Sequence, residues 1–298
     1  MGYNALPGGR LTVCHDESRV SDRSLRLGIL VGVAVYVALF LVGLRTFVLK
    51  TAILPAFAAY ALVLPSVRPF LVDWIPLLLA TIAFDFLRGA IYVAVEAGFR
   101  PIYAAYAIAL EHLTIRTDAL PLVLQRFRTP VLDWTGVALH GSHFLFFLGF
   151  GLALWHASRT HFPLYRRSLI IAMVVGLVGY LLIPTVPPWM AALPPYELLP
   201  PIERIVGDIY ERFLPELYGT FDTNPVAAMP SLHAAFPSVA ALIGWRALGR
   251  PAGIVLWVYA AAAMLAAAYL GEHYLVDVIA GLIVAVIAVR LAARNPSL

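Results

Sequence analysis

The sequence predicts an all-α, polytopic membrane bundle of about six to eight transmembrane helices, with an interfacial helix and an extracytoplasmic cap loop. Composition is the first reason for this prediction. Of the 298 residues, 61% are hydrophobic and only 13% are charged, and the mean hydropathy is +0.85. Soluble domains carry about a quarter charged residues. The second reason is that apolar runs of about 20 residues, long enough to cross a bilayer, recur along the chain.

The apolar runs define the predicted helices. An uncertain eighth run, residues 51–67, is shorter and contains Pro55 and Pro65, so its crossing stays open. Residues 100–129 mix charge with apolar residues and predict an interfacial helix, whereas residues 185–228 are rich in proline, tyrosine and acid and connect two spans. The clear spans cover residues 27–48, 74–95, 131–155, 168–183, 230–245, 252–270 and 274–289.

The domain organisation follows from the same pattern. Residues 1–26 are polar and lack the apolar core of a cleavable signal peptide, so they predict a cytoplasmic N-terminal tail. Residues 27–293 form one integral-membrane domain, whose motifs lie within 73–293. A lone cysteine, Cys14, excludes an intramolecular disulfide.

The distribution of charge predicts which side each loop faces. Cytoplasmic loops of membrane proteins carry an excess of arginine and lysine. With eight spans across the plasma (inner) membrane, the basic loops fall on the cytoplasmic side. The acidic 185–228 connection and the beginnings of the helices that bear His233 and His273 fall on the extracytoplasmic side. The pI of about 9.3 does not indicate nucleic acid, because the basic residues are scattered and not gathered in a patch. The predicted partner at this stage is therefore the lipid bilayer. The loop arginines are Arg159, Arg166, Arg167, Arg246, Arg250, Arg290 and Arg294.

Two short segments place polar residues where apolar helices begin. His273 and Asp277 are four residues apart and share a helix face, so the carboxylate can hold the imidazole in one tautomer. His233 lies in the first turn of another helix, after Ser231, where unpaired backbone N–H groups favour an anion such as phosphate. Both histidines are also compatible with a simple position at the water interface. We interpret the two segments as halves of one catalytic site.

An ordered set of motifs resembles the type 2 phosphatidic acid phosphatase superfamily, and most closely its bacterial inositol-phosphorylceramide-synthase-like branch. The segment "PSLH" is similar to the second signature motif and "HYLVDVIAG" to the third. The full set is "FDFLRGA" (84–90), "GSHF" (141–144), "IPTVPPWMA" (183–191), "ERIV" (203–206), "NPVAAMPSLHAAFP" (224–237) and "HYLVDVIAG" (273–281).

The resemblance implies a phosphohydrolase or phosphotransferase that acts on a lipid phosphate or phosphodiester, most closely an inositol-phospholipid-type substrate, without a metal or cofactor. His273 would attack phosphorus and form a phosphohistidine, Asp277 would orient its ring, and His233 would act as acid and then base. Water as the acceptor gives a phosphatase, and a lipid hydroxyl gives a transferase. Other branches carry a lysine at the position of Ala61 and an arginine at the position of Ala267. The synthase-like branch lacks both residues, as this sequence does.

The groups that neutralise the phosphate must therefore lie elsewhere. Arg88 is the candidate, with Asp85 three residues before it, because ionisable residues inside an apolar run are costly and indicate function. A structural ion pair is the alternative. His143 is a further candidate, and the alternative is that it is a satisfied histidine of the core. For His140, on the same predicted helix, the core position is the favoured interpretation. The polar residues of the "NPVAAMPSLH" segment, Asn224 and Ser231, complete the predicted phosphate-binding set.

A transporter or flippase is the competing function. Asp85, Arg88 and His143 would then line a pathway through the membrane. Transporters often show inverted repeats, and no matching halves occur in this sequence. The segment 184–189, "PTVPPW", is predicted to be non-helical, either as a rigid lid with Trp189 as an interfacial anchor or as a plain loop. The sequence does not indicate an oligomeric state.

Overall fold

The computed structural model describes residues 20–42, 53–117, 119–213 and 223–294. Within these ranges the chain is helical, and strand pairing is limited to isolated bridges of Thr185 with Tyr103 and Ala227. The predicted all-α fold class is confirmed. The α-helices are α1 (Asp22–Leu41), α2 (Ile53–Val63), α3 (Arg68–Glu96), α4 (Ala105–Ile115), α5 (Leu120–Leu124), α6 (Pro130–Ala157), α7 (Phe162–Leu182), α8 (Pro188–Ala191), α9 (Ile205–Phe213), α10 (Leu232–Ala247), α11 (Arg250–Tyr269) and α12 (Leu275–Arg294).

Four of the described helices, α3, α7, α11 and α12, are long and apolar enough to cross a membrane, which makes this an integral membrane protein. A fifth span results if the two halves of α6, Pro130–His143 and Leu145–Ala157, which meet at 55°, count as one. These four or five are counted among the described residues only, and residues 43–52, which include the end of the predicted span 27–48, lie outside them. The uncertain run 51–67 gives only the 11-residue α2, and the predicted span 230–245 gives the 16-residue α10.

The N-terminal boundary also differs from the prediction. Helix α1 begins at Asp22, so the last residues of the predicted 1–26 tail are helical. Its first turn is tied to the turn between α2 and α3: Asp22 accepts a hydrogen bond from the Val67 N–H at 3.2 Å, and Arg26 donates to the Leu64 carbonyl at 2.6 Å. Residues 1–19, which include Cys14, lie outside the described ranges.

Helix α10 lies at the centre of the bundle. It packs against α6, α7, α11 and α12, and α3 packs on the far side of α7. Nearly every residue of α10 from Leu232 to Gly244 is buried. His233, in the first turn of α10, therefore lies at the centre of one end of the bundle.

The antiparallel helices give the bundle two chemically different ends. At the histidine end, the starts of α10 and α12 meet the ends of α3, α7 and α11. At the arginine end, the starts of α3, α7 and α11 meet the ends of α6, α10 and α12, together with the loop arginines named above. Pro76 within α3 cannot bond the Val72 carbonyl, and Arg166 of α7 donates to that carbonyl at 3.3 Å.

Two glycines let neighbouring helices approach the start of α10. A Cβ at Gly179 of α7 would lie 2.4 Å from Pro230 Cδ, and a Cβ at Gly281 of α12 would lie 2.2 Å from the Ser231 carbonyl oxygen. No real side chain fits at such distances. Residues 230 and 231 are thus clamped between α7 and α12, which brings the two histidine segments together.

Residues 183–213, which follow α7 and are called here the covering segment, lie over the histidine end. The predicted absence of helix in 184–189 is wrong at its last residues, because Pro188 and Trp189 begin α8. Proline is tolerated at the first position of a helix, since the N–H it lacks has no intrahelical partner there. The prediction of Trp189 as an interfacial anchor is also wrong: it is only 8% exposed, and Arg204 lies 3.9 Å above its ring.

Candidate active site

The first turn of α12 holds the predicted His–Asp pair in place. His273 Nδ1 lies 3.5 Å from Asp277 Oδ2, and the same oxygen accepts the Tyr274 N–H at 2.9 Å. Tyr274 immediately precedes α12, so the third residue of the helix bonds the backbone of its capping residue. Asp277 is fully buried and His273 is 5% exposed. The carboxylate therefore fixes the start of the helix and lies beside the imidazole.

The two predicted halves of the site meet directly. His233 Nδ1 lies 3.2 Å from His273 Nε2, within hydrogen-bonding distance. The backbone joins them as well, since the Ser231 N–H donates to the Asp277 carbonyl at 3.0 Å. His233, His273 and Asp277 thus form one connected chain of polar groups at the histidine end.

Helix α6 contributes two more histidines. The ring of His140 stacks on His233 with centroids 4.3 Å apart and an interplanar angle of 20°. His143 lies at the same 4.3 Å from His233 and also stacks on Phe236. His140 was favoured as a core histidine, and it is indeed buried, but it lies against the predicted acid/base. The His140 ring thus stacks on His233, whereas the His143 ring is tilted by 40° to it. The described residues contain no group of three His, Cys, Asp or Glu side chains that could hold a metal ion.

The end of α3 brings the predicted cation to the same place. Arg88 Nη2 lies 3.5 Å from Asp85 Oδ1, and both side chains are 19% exposed. The charge of Arg88 is near enough to act on His143, His233 and Tyr180. Arg88 therefore lies in the same part of the structure as the histidines.

Asn224 and Ser231 make bonds within the protein. Asn224 Nδ2 donates to the Arg88 carbonyl at 3.0 Å, and its Oδ1 accepts the Val226 N–H at 3.1 Å. Ser231 caps α10 by accepting the Ala234 N–H at 3.3 Å. These contacts position Arg88 and the first turn of α10.

The two positions that differ from other branches are both packed. Ala267 in α11 and Ala61 in α2 are buried, at 0% and 1% exposure. Ala61 belongs to the main apolar core with Phe70 and Trp74, near the arginine end. Neither position supplies a cation to the histidine end.

Sequence reasoning missed a buried acid on α4. Glu111 is fully buried, and its carboxylate accepts hydrogen bonds from the backbone N–H groups of Leu120 and Leu275. Burial raises its pKa, which the two backbone bonds oppose. Burial likewise raises the pKa of the neighbouring Tyr106 to about 12. The available signal was a single acid inside the apolar stretch "AYAIALEHLTI".

The covering segment rests on the residues just before His273. The Trp189 N–H donates to the Gly271 carbonyl at 3.1 Å, and Trp189 Nε1 lies 3.4 Å from Glu272 Oε2. Gly271 has a φ of +81°, a conformation that favours glycine. The segment is thus fixed to the loop that carries His273.

Comparisons with known proteins agree with this site. A family model described as PAP2 superfamily matches residues 121–291. A curated relative, "Phosphoinositol dihydroceramide synthase" from Bacteroides thetaiotaomicron, is 31% identical over 150 residues, which are 45% of this chain and 46% of the relative. The alignment therefore spans less than half of the relative's length. No solved structure gives a significant match. The resemblance drawn from the motifs is confirmed; Asp85, Arg88 and Glu111 lie outside the matched residues.

Proposed function

The chain belongs to the PAP2 superfamily, and from this premise we propose that it is a membrane-embedded phosphohydrolase or phosphotransferase acting on a lipid phosphate or phosphodiester through a phosphohistidine. One observation carries the proposal. His273 faces His233 at 3.2 Å through one ring nitrogen and Asp277 at 3.5 Å through the other. Asp277, His273 and His233 thus lie side by side in space, as orienting group, nucleophile and acid/base.

His273 is the nucleophile of this scheme. With its Nδ1–H directed to the Asp277 carboxylate, Nε2 carries the lone pair and accepts from His233. Attack of Nε2 on phosphorus breaks the bond to the leaving lipid oxygen and leaves positive charge on the ring. The buried carboxylate of Asp277 stabilises that charge.

His233 moves the proton. As an imidazolium it donates its Nδ1 proton to the departing oxygen and becomes neutral, and it later takes a proton from the incoming hydroxyl, whose oxygen displaces His273 from phosphorus. Nitrogen atoms 3.2 Å apart leave no room for a phosphoryl group between them. Substrate binding must therefore break this hydrogen bond and separate the two rings.

Arg88 supplies the positive charge for the phosphate oxygens in this proposal. Its charge acts on His143 and His233, and Asn224 holds its backbone carbonyl at 3.0 Å. A guanidinium can bind two phosphate oxygens at once. The N–H groups at the start of α10 add a second source of stabilisation.

The substrate class rests on the relative. Its printed name says that it makes phosphoinositol dihydroceramide. We propose for this chain an inositol-phospholipid-type donor with a lipid hydroxyl as acceptor; water in place of that hydroxyl makes the enzyme a phosphatase.

Mass spectrometry of defined lipids tests the function. Purified enzyme in nanodiscs that contain phosphatidylinositol, with and without a ceramide acceptor, should release diacylglycerol and form the transferred product. His273→Ala and His233→Ala should lower turnover by at least about a thousandfold. An H273A rate within a few-fold of wild type would exclude the phosphohistidine. Turnover should persist in EDTA, since the proposed steps use the chain's own side chains.

The proposed location is the plasma membrane, with the histidine end on the extracytoplasmic side. In a Cys14→Ser background, Asp208→Cys on the exposed face of α9 should react with a membrane-impermeant thiol reagent in intact cells. The control, Thr160→Cys, lies in the exposed turn at the arginine end and should react only after permeabilisation. The reverse pattern would invert the proposed orientation.

A further inference from the structure

The buried carboxylate of Glu111 joins the interfacial helix α4 to the catalytic helix α12. Its Oε2 accepts the Leu120 N–H at 2.6 Å, and its Oε1 accepts the Leu275 N–H. These are the first residues of α5 and α12. The first N–H groups of a helix have no partner within the helix and form its positive end. Glu111 thus satisfies two such groups at once.

Placing a carboxylate at this site is costly unless something specific stabilises it. The side chain is fully buried, and no cationic side chain of the described residues pairs with it. Its stabilisation comes from the two N–H donors, one to each oxygen, which favour the ionised form. Burial, the largest influence, raises its pKa. A residue that only filled space at this point would be apolar.

The hydrogen bond between Glu111 and Leu275 lies directly beside the reactive groups. Two successive N–H groups at the start of α12 are each held by a carboxylate: Tyr274 by Asp277 at 2.9 Å, and Leu275 by Glu111. In the loop before them, Gly271 and Glu272 donate to the last turn of α11, whereas His273 lies outside both helices. The position of the His273 ring therefore depends on how both N–H groups are held.

Glu111 and Asp277 also interact as like charges. Their repulsion destabilises the site most while the His273 ring is neutral. Positive charge that develops on His273 during attack offsets it. An interaction that improves toward the transition state accelerates the reaction, whereas one that is equal in both states does not.

We propose that Glu111 is a positioning residue, which acts through the first turn of α12 to hold the His273–Asp277 pair in its reactive geometry. The inference rests on the proposed function of that pair and adds to it a residue of the interfacial segment, outside the matched family region. The groups that face Glu111 electrostatically are Asp277 and Tyr274.

The first test is Glu111→Gln, which keeps the shape but turns an NH2 group toward one of the two N–H donors. We expect kcat to fall about tenfold or more, as for loss of one charge-assisted hydrogen bond, with KM changed less than about twofold. The matched control is Glu96→Gln, an exposed glutamate that accepts from the Tyr92 hydroxyl at 2.7 Å and should keep full activity. A wild-type kcat for monodisperse E111Q would overturn the proposal.

A double-mutant cycle distinguishes positioning from general stabilisation. If Glu111 acts through the pair, E111Q should cost less than about threefold in an Asp277→Asn background. The same loss in both backgrounds would overturn the proposal. Leu275→Pro reaches the bond from its donor side, because proline lacks the N–H and suits the first position of a helix. It should reproduce the loss of kcat, and full activity would contradict the proposal.

Hydrogen exchange separates this inference from the proposed function. In E111Q, amides of residues 270–280 should exchange at least about tenfold faster than in wild type, with residues at the arginine end unchanged. This readout needs no turnover, so it holds even for a protein inactive on every phospholipid. Unchanged exchange would refute the Glu111 link and leave the phosphohistidine proposal standing.

Discussion

The two ends of the bundle use the same kinds of side chains in opposite surroundings. At the arginine end, Asp73 accepts from Trp155 Nε1 at 2.8 Å and from Arg159 Nη2 at 2.9 Å, and the Arg159 side chain is 51% exposed. At the histidine end, Asp277 is fully buried beside His273. Its Oδ1 has no hydrogen-bond partner among the described residues.

Under the proposed function, the difference separates a carboxylate that holds helices together from one that takes part in the chemistry. Water screens the charges around Asp73, so that cluster fastens α3 to α6 at modest energy. Screening is weak around Asp277, where a change of charge on a neighbouring ring has a large energetic effect. Burial, more than residue type, separates an anchoring carboxylate from a catalytic one.

The largest expected effect comes from exchanging one carboxylate for an amide at each end. Asp277→Asn should lower kcat by about a hundredfold or more, because the His273 tautomer and charge lose their support. Asp73→Asn should leave kcat unchanged and lower the free energy of unfolding by about 1 kcal/mol. Steady-state kinetics and thermal unfolding in the same detergent measure both. Equal kinetic losses would remove the distinction between the ends.

Arginine provides the second pair. Arg88→Lys keeps the charge but loses the two-pronged donor, so we expect a loss of about tenfold or more in kcat/KM from one charge-assisted bond. Arg159→Lys, at the arginine end, should be kinetically silent. Kinetics on monodisperse protein decide the matter. A normal rate for R88K would reduce Arg88 to a structural partner of Asp85 and direct the search to Arg100, Arg116, Arg126 and Arg128.

The smallest expected effect concerns packing. At Gly281→Ala the new Cβ would lie 2.2 Å from the Ser231 carbonyl, so α10 and α12 must move apart, at a cost of about 1–3 kcal/mol and a several-fold loss of rate. Gly149→Ala in α6 meets nothing within 4 Å and should be neutral or stabilising by about 0.5–1 kcal/mol. Thermal unfolding of both variants is the measurement. An unperturbed G281A would show that the clamp yields easily.

Much of this organisation was predictable because its determinants are local. Apolar runs fix where helices form, and the four-residue spacing brings the His273 and Asp277 side chains together, although His273 lies in the loop before α12 and not on the helix as predicted. The stacking of His140 and His143 on His233 was not accessible, since it depends on how α6 crosses α10. Glu111 was missed for the same reason: its partners lie 9 and 164 residues away in sequence. Helix α8 was missed because Pro188 occupies its first position, where proline is tolerated.

The hydrogen bond between His233 and His273 has a consequence for substrate choice. A phosphate must first separate the two rings, at the cost of a buried hydrogen bond of about 1 kcal/mol and the disturbed stacking of His140. A lipid can offset this cost through its acyl chains, which gain apolar contacts far from phosphorus. A water-soluble ester with the same headgroup has no such contacts. Energy from remote binding then appears in kcat, which should decline along a series of substrates with shortened chains. In this way the enzyme would turn over dissolved phosphate esters slowly and select substrates that are anchored in the membrane.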